Sequence, residues 1–219
     1  RDELLFIFFI VVVLLFSGNG YIFSEKKLGF FKSIGLAFPL LIMSGLALLG
    51  GIVSAVDGFK LANFISLVYL CIFIGIYEEF LCRGWLENEF LERFGNDKKG
   101  VIFSIILSSL VFGAMHITNA FATTQSLFDT FNQIFQALAS GFLFGSIYYK
   151  SKNIWSVAFL HGFFDFSLML SSVNLLKDCI SVETGLASMV FSAISSLLIM
   201  SFYIFIAIYV IKIYISNNW

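Results

Sequence analysis

Apolar runs separated by short polar breaks recur along the whole chain. They cover 4–16, 29–56, 61–81, 101–117, 131–149, 154–173 and 186–215. About 20 apolar residues suffice for a helix to cross a bilayer. The pattern predicts an all-α fold, a polytopic transmembrane helical bundle with about seven visible spans. The first run is short and the last long, a difference that tilt accommodates. Pro39 lies inside the second run, where it predicts a kink. Residues 1–219 read as a single membrane domain without internal repeat, with its polar motifs at about 67–170. The chain begins at Arg1 and is apolar by Leu4, so a preceding, eighth span is expected. No small-residue cleavage site follows the first run closely, which argues against a cleaved signal peptide.

Two polar breaks carry patterns of their own. In "WLENEFLERF", Trp85, Leu86, Phe90 and Phe94 recur at helical spacing, with Glu87, Glu92 and Arg93 between them. That pattern predicts an amphipathic helix lying in the membrane interface. Residues 118–134 hold no basic residue and only Asp129, and are expected at the outer interface. In the fifth run Gly141 and Gly145 form a small-xxx-small pair, which lets another helix approach closely.

Composition strengthens the membrane reading. Of 219 residues 59% are hydrophobic and 12% charged, and the mean hydropathy is +0.96. Soluble domains carry about 25% charged residues. A net charge of −1 leaves no electrostatic footprint for nucleic acid. Cys71, Cys82 and Cys179 have neither metal-binding nor redox spacing. Cations sort by side. One side holds Lys26, Lys27, Lys32, Arg83, Arg93, Lys98, Lys99, Lys150, Lys152 and Lys212; the other holds only Arg1, Lys60 and Lys177. Ten against three makes the first side cytoplasmic. The Phe-, Ile- and Asn-rich composition fits a bacterial cytoplasmic membrane.

The candidate chemistry is what remains inside the apolar runs: Glu78, Glu79, Arg83, His116, His161 and Asp165. Ionisable residues at membrane depth usually face a cavity and serve a function. Glu79 and Arg83 are four apart with the acid first, the favourable order for a same-face pair. Adjacent helical residues point about 100° apart. Glu78 is therefore expected to project elsewhere, unpaired. A carboxylate without a cation in a poorly solvated site can act as a general base near neutral pH. His161 and Asp165 are also four apart and line one face, so the acid could orient the imidazole or contact substrate. Depth adds a constraint. His161 lies nine residues beyond Lys152, about 14 Å at 1.5 Å per residue, and His116 seventeen beyond Lys99, about 25 Å. Glu78 reaches comparable depth only if the third helix continues past Arg83 toward Phe94.

These residues resemble a known family. "EEFLCR" (Glu78, Glu79, Arg83) matches EExxxR, "FGAMH" (Phe112, His116) matches FxxxH, and "HGFFD" (His161, Asp165) matches HxxxN/D. The order agrees, and so does the run "GFLFGSIYYKSKNIWSVAFLH". The chain resembles the CPBP family of CAAX proteases and bacteriocin-processing enzymes, also called Abi. The resemblance covers about 67–170 and implies an intramembrane endopeptidase. It implies that Glu78 and His116 activate water and that His161 with Asp165 stabilises the oxyanion. Asp165 stands where asparagine is more familiar, so it acts as a protonated donor or orients His161. Glu79, Arg83 and Phe112 would support these groups. Implied substrates are peptides or membrane-anchored proteins, met from the cytoplasmic side in CAAX-type, signalling-peptide or bacteriocin processing, or in self-immunity.

No cofactor is expected. Zinc is the alternative, because two histidines and a glutamate could bind it with one position left for water. HExxH is absent, and the candidates come from three helices. Two other functions compete: a non-catalytic scaffold or immunity protein on the same fold, and a proton-coupled carrier. The carrier reading lacks the inverted repeat and paired broken helices of many transporters. Membrane lipid is an expected partner; oligomeric state leaves no sequence signal.

Overall fold

The computed structural model describes residues 2–55, 59–95, 97–122, 125–170 and 186–218. Arg1, Lys177, Cys179 and the end of the sixth predicted run beyond Leu170 lie outside them. The described residues form an all-α membrane bundle with no strand. Helix α1 covers Asp2–Phe16, a 3-10 turn Asn19–Phe23, α2 Phe30–Gly35 and α3 Phe38–Ala55. Helix α4, Leu61–Glu79, continues as π-helix over Phe80–Glu87 and as α5 over Asn88–Phe94. Helix α6 is Lys98–Met115, followed by a 3-10 turn at His116–Thr118 and by α7, Asn119–Ala122. Helices α8, α9 and α10 are Leu127–Ser151, Ile154–Met169 and Leu186–Asn218.

Each predicted run thus contains helix. Leu61–Phe94, Lys98–Phe121 and Ser192–Lys212 are long and apolar enough to cross a membrane, while Leu4–Phe16, Phe38–Val53 and Ile154–Met169 are apolar but shorter. Helix α8 is 25 residues long, but Asp129, Asn132, Gln133 and Gln136 lower its hydropathy. Large apolar side chains stay exposed, Phe8 at 68% and Leu198 at 68% among them, as a lipid-facing surface requires.

Two expectations about local structure are corrected. Pro39 does not kink a continuous helix. The helix ends at Gly35, and Pro39 stands in the first turn of α3, where its missing N–H has no intrahelical partner to lose. Residues 85–94 do not form an interfacial helix with Glu87 on its solvated face. They continue α4 without a break, and Glu87, Asn88 and Leu91 are buried while Phe94 is exposed. The π-helical stretch accounts for the change of face. Its i→i+5 hydrogen bonds place more residues in each turn, so the positions after it point in directions that α-helical spacing does not give. Because the helix runs through Arg83, that residue is no loop cation, and nine remain of the ten on the basic side.

The described residues fall into two compact units. The first comprises residues 2–85 with 151–170. Its central feature is the crossing of α4 and α9 at Gly75 and Gly162. A Cβ on Gly75 would stand 2.5 Å from the carbonyl oxygen of Ala158, and one on Gly162 would stand 2.6 Å from that of Cys71. Backbone touches backbone there, and only glycine permits it. Leu67, Cys71 and Leu170 form a core beside the crossing, with Leu48, Phe64, Phe166 and Met169 against it. The start of α9 is fixed by Asn153. Its Oδ1 accepts the Ser156 N–H at 3.2 Å, and its Nδ2 donates to the Leu28 carbonyl at 3.2 Å. Lys152, at φ 48°, supplies the left-handed turn from α8 into α9.

The second unit comprises residues 86–150 with 186–218. Leu91, Val101, Ile105 and Ile211 form a core of α5, α6 and α10, with Ile102, Phe142 and Tyr149 packed on it. Gln136 Nε2 donates to Ser196 Oγ at 2.7 Å, tying α8 to α10. Asp97 caps α6, its Oδ1 accepting the Gly100 N–H at 3.0 Å. Gly145 stands at a close approach, where a Cβ would lie 2.7 Å from Glu87 Oε2 and 3.0 Å from Ile105 Cγ2.

Candidate active site

The glycine crossing positions a polar cluster. Glu78 and Glu79 follow Gly75 by about one turn of α4, and His161 directly precedes Gly162 on α9. The close approach at the glycines brings the imidazole between the two carboxylates. Its Nδ1 lies 2.8 Å from Glu79 Oε1, and its Nε2 lies 3.6 Å from Glu78 Oε2 and 3.5 Å from Asp165 Oδ2. Glu79 Oε1 also accepts from Arg83 Nη1 at 3.0 Å. One carboxylate oxygen therefore joins α9 to the π-helical stretch that carries Arg83.

Burial divides the cluster. The side chains of Glu79 and Arg83 are 0% exposed, and that of His161 is 6% exposed. Those of Glu78 and Asp165 are 18% and 24% exposed. The Glu79–Arg83 pair is sealed, whereas Glu78 and Asp165, which flank Nε2, are partly exposed. A buried ion pair is retained only with good geometry and added hydrogen bonds, and the imidazole supplies one.

The continuous helix expected past Arg83 is present. The expected isolation of Glu78 is not. A facing side chain that enters between two adjacent helical positions can touch both, although they point about 100° apart. Glu79 holds Nδ1 at 2.8 Å, whereas Asp165 stands 3.5 Å from the opposite ring nitrogen.

Aromatic packing supports the π-helical stretch. Phe80 stacks edge-on against Phe23 and Trp155, with ring centroids 5.3 Å away in both cases. A Cβ on Gly84 would stand 2.6 Å from Ile22 Cδ1. Gly75, Gly84 and Gly162 are the site-forming residues that motif reading passed over. Their signal was isolated glycine within apolar helical runs, next to the charged positions.

His116 and Phe112 belong to the second unit. His116 ends α6, and its Nδ1 lies 3.0 Å from the Phe112 carbonyl oxygen, one of the acceptors left over at a helix C-terminus. The two rings meet edge to face, with centroids 5.2 Å apart and planes at 78°. With Nδ1–H donating to that carbonyl, Nε2 has a free lone pair and is the ring's proton acceptor. Thus Phe112 orients His116 twice, by its carbonyl and by its ring.

The structure therefore brings Glu78, Glu79, Arg83, His161 and Asp165 together in one unit and carries His116 with Phe112 in the other. Among the described residues, no group of three or more His, Cys, Asp and Glu side chains is arranged to hold a metal ion. The buried Glu79 carboxylate holds the Arg83 guanidinium at 3.0 Å.

No curated protein and no solved structure matches the chain. A family model described as Rce1-like, type II CAAX prenyl endopeptidase, matches residues 60–167, a span that holds all three motifs. Over residues 60–167 the chain is similar to the Rce1-like family of type II CAAX prenyl endopeptidases.

Proposed function

We propose that the protein is an intramembrane endopeptidase that hydrolyses a peptide bond with water activated by Glu78, without a metal ion. The observation that supports this is the division of the polar cluster. Glu79 is sealed against Arg83, while Glu78 is partly exposed and faces the nitrogen of His161 that Glu79 leaves open.

In the proposed reaction, Glu78 takes a proton from water as the oxygen bonds to the scissile carbonyl carbon. The carbonyl π-electrons move onto oxygen, and His161 Nε2–H donates to the resulting oxyanion. With Nδ1–H donating to Glu79, that step requires both ring nitrogens to carry protons. The Glu78 proton then passes to the amide nitrogen as the C–N bond breaks. Asp165 stands beside Nε2 and serves the oxyanion as a neutral donor. His116 is assigned from its motif as the second group acting on water. The substrate class is peptides or membrane-anchored proteins, with CAAX-type proteins the first to try.

The test is cleavage of a prenylated CAAX-type peptide, and then of membrane-anchored signalling peptides, by the purified protein in detergent or nanodiscs. Wild type cleaves and Glu78→Gln does not. Equal cleavage by both would remove Glu78 from the reaction. Folded wild type inert toward the whole panel would favour the scaffold or immunity reading.

A further inference from the structure

A cavity lies within the second unit. It has a volume of about 830 Å³ and is walled by α6, α8 and α10. Ile102, Ile106, Phe135, Leu138, Phe142 and Ile204 are among the apolar residues that line it. Its mouth is different. Lys98 and Lys212 are both lining residues, one from the first turn of α6 and one from the far part of α10.

The packing places these lysines at the same end. Ile211 of α10 packs with Val101 and Ile105 of α6, so α10 runs antiparallel to α6 along the cavity. From Lys98 the lining continues to Ser109, and from Lys212 back to Met200. At 1.5 Å per residue those distances are about 16 and 18 Å. Half of a bilayer's hydrocarbon core is about 15 Å. The cavity is therefore one leaflet deep, with two cations at its mouth.

The deep end makes no polar demand. Ser109 Oγ is satisfied by the Ile105 carbonyl oxygen of its own helix, 2.6 Å away. At the mouth, Asp97 is the acid nearest in sequence to Lys98, and its Oδ1 is engaged by the Gly100 N–H. Lys98 and Lys99 occupy the first turn of α6, where the helix dipole disfavours cations and favours an anion between them.

The geometry points to a binding site for one anionic phospholipid, with an acyl chain in the α6–α8–α10 cavity and its phosphate between Lys98 and Lys212. Basic pockets between transmembrane helices bind acidic headgroups by this chemistry. The sorting of basic residues assigns the mouth to the cytoplasmic leaflet.

Native mass spectrometry of the full chain, with phosphatidylglycerol or phosphatidylcholine of matched acyl chains added, tests the site. Wild type retains one phosphatidylglycerol in preference to phosphatidylcholine. The double variant Lys98→Gln/Lys212→Gln lowers that preference about thirtyfold, the scale expected of two lysines at a membrane surface. Ala139→Phe, which fills the cavity wall, lowers retention of both lipids. Lys26→Gln/Lys27→Gln, two lysines that do not line the cavity, leaves the preference intact. Equal retention of both lipids by wild type overturns the proposal. So does an unchanged preference in the Lys98/Lys212 variant, or an equal loss in the Lys26/Lys27 control.

Discussion

His161 Nδ1 and Glu79 Oε1 lie 2.8 Å apart, across the crossing of two helices and with almost no solvent access. This contact fixes the imidazole plane and turns Nε2 toward Glu78 and Asp165. Glu79 itself is held by Arg83, so the ring's orientation depends on a pair of charges that has no contact with water.

Removing one member of that pair strands the other. Arg83→Leu or Glu79→Leu each destabilises the protein by about 3–5 kcal/mol, because an uncompensated charge remains buried. The double variant Glu79→Leu/Arg83→Leu regains most of that loss. It does not regain cleavage, since Nδ1 has lost its acceptor. Thermal unfolding in detergent and a cleavage assay separate the two effects. A double variant as unstable as the worse single would show that the charges were not compensating each other.

Glu78 behaves in the opposite way. It is 18% exposed and not part of the sealed pair. Glu78→Gln leaves the melting temperature nearly unchanged and lowers kcat by about 10²–10⁴, the usual contribution of a general base. Wild-type activity withstands exhaustive chelation. Activity lost to a chelator and restored by zinc would replace the proposed reaction with a metal-dependent one.

Asp165 can be tested by an isosteric change. Asp165→Asn supplies an N–H donor at the same position and keeps cleavage within about tenfold of wild type. Asp165→Ala removes the donor and costs about 10²–10³ in kcat. If the Asn variant is as impaired as Ala, the ionised carboxylate is needed, and its role lies with the imidazole instead of the oxyanion.

The glycine crossing gives a prediction without any charged residue. Gly75→Ala places a methyl group 2.5 Å from the Ala158 carbonyl oxygen. The helices must separate, at a cost of about 1–3 kcal/mol from overpacking. Cleavage falls further than stability explains, because the His161–Glu79 distance opens with them. A folded Gly75→Ala protein with full activity would show that the crossing does not set the site.

The sequence held more of the site's parts than of its geometry. Continuity of α4 through Arg83 was legible because depth along a helix is a simple sum, and Glu78 had to reach the level of the histidines. The Glu79–Arg83 pair was legible from its spacing. Contact of Glu78 with His161 was not, since a pattern along one helix says nothing about what enters from the next. The π-helical stretch also escaped. It leaves the i,i+4 contact of Glu79 and Arg83 intact while redirecting Glu87, and α-helical periodicity cannot register that change. Pro39 misled for a related reason. An apolar run does not show where one helix stops and another starts, so a residue that opens α3 read as one that bends it.

Gly75 and Gly162 have a consequence for how such a protein can vary. Neither glycine reacts or carries charge, yet the spacing of the imidazole and its carboxylates is inherited from them. A change at Glu78 or Asp165 alters one group in a standing frame. A larger side chain at either glycine shifts the frame, and every group on α4 and α9 moves together. The reacting groups can thus change one residue at a time, whereas the crossing can be rebuilt only by matched changes on both helices.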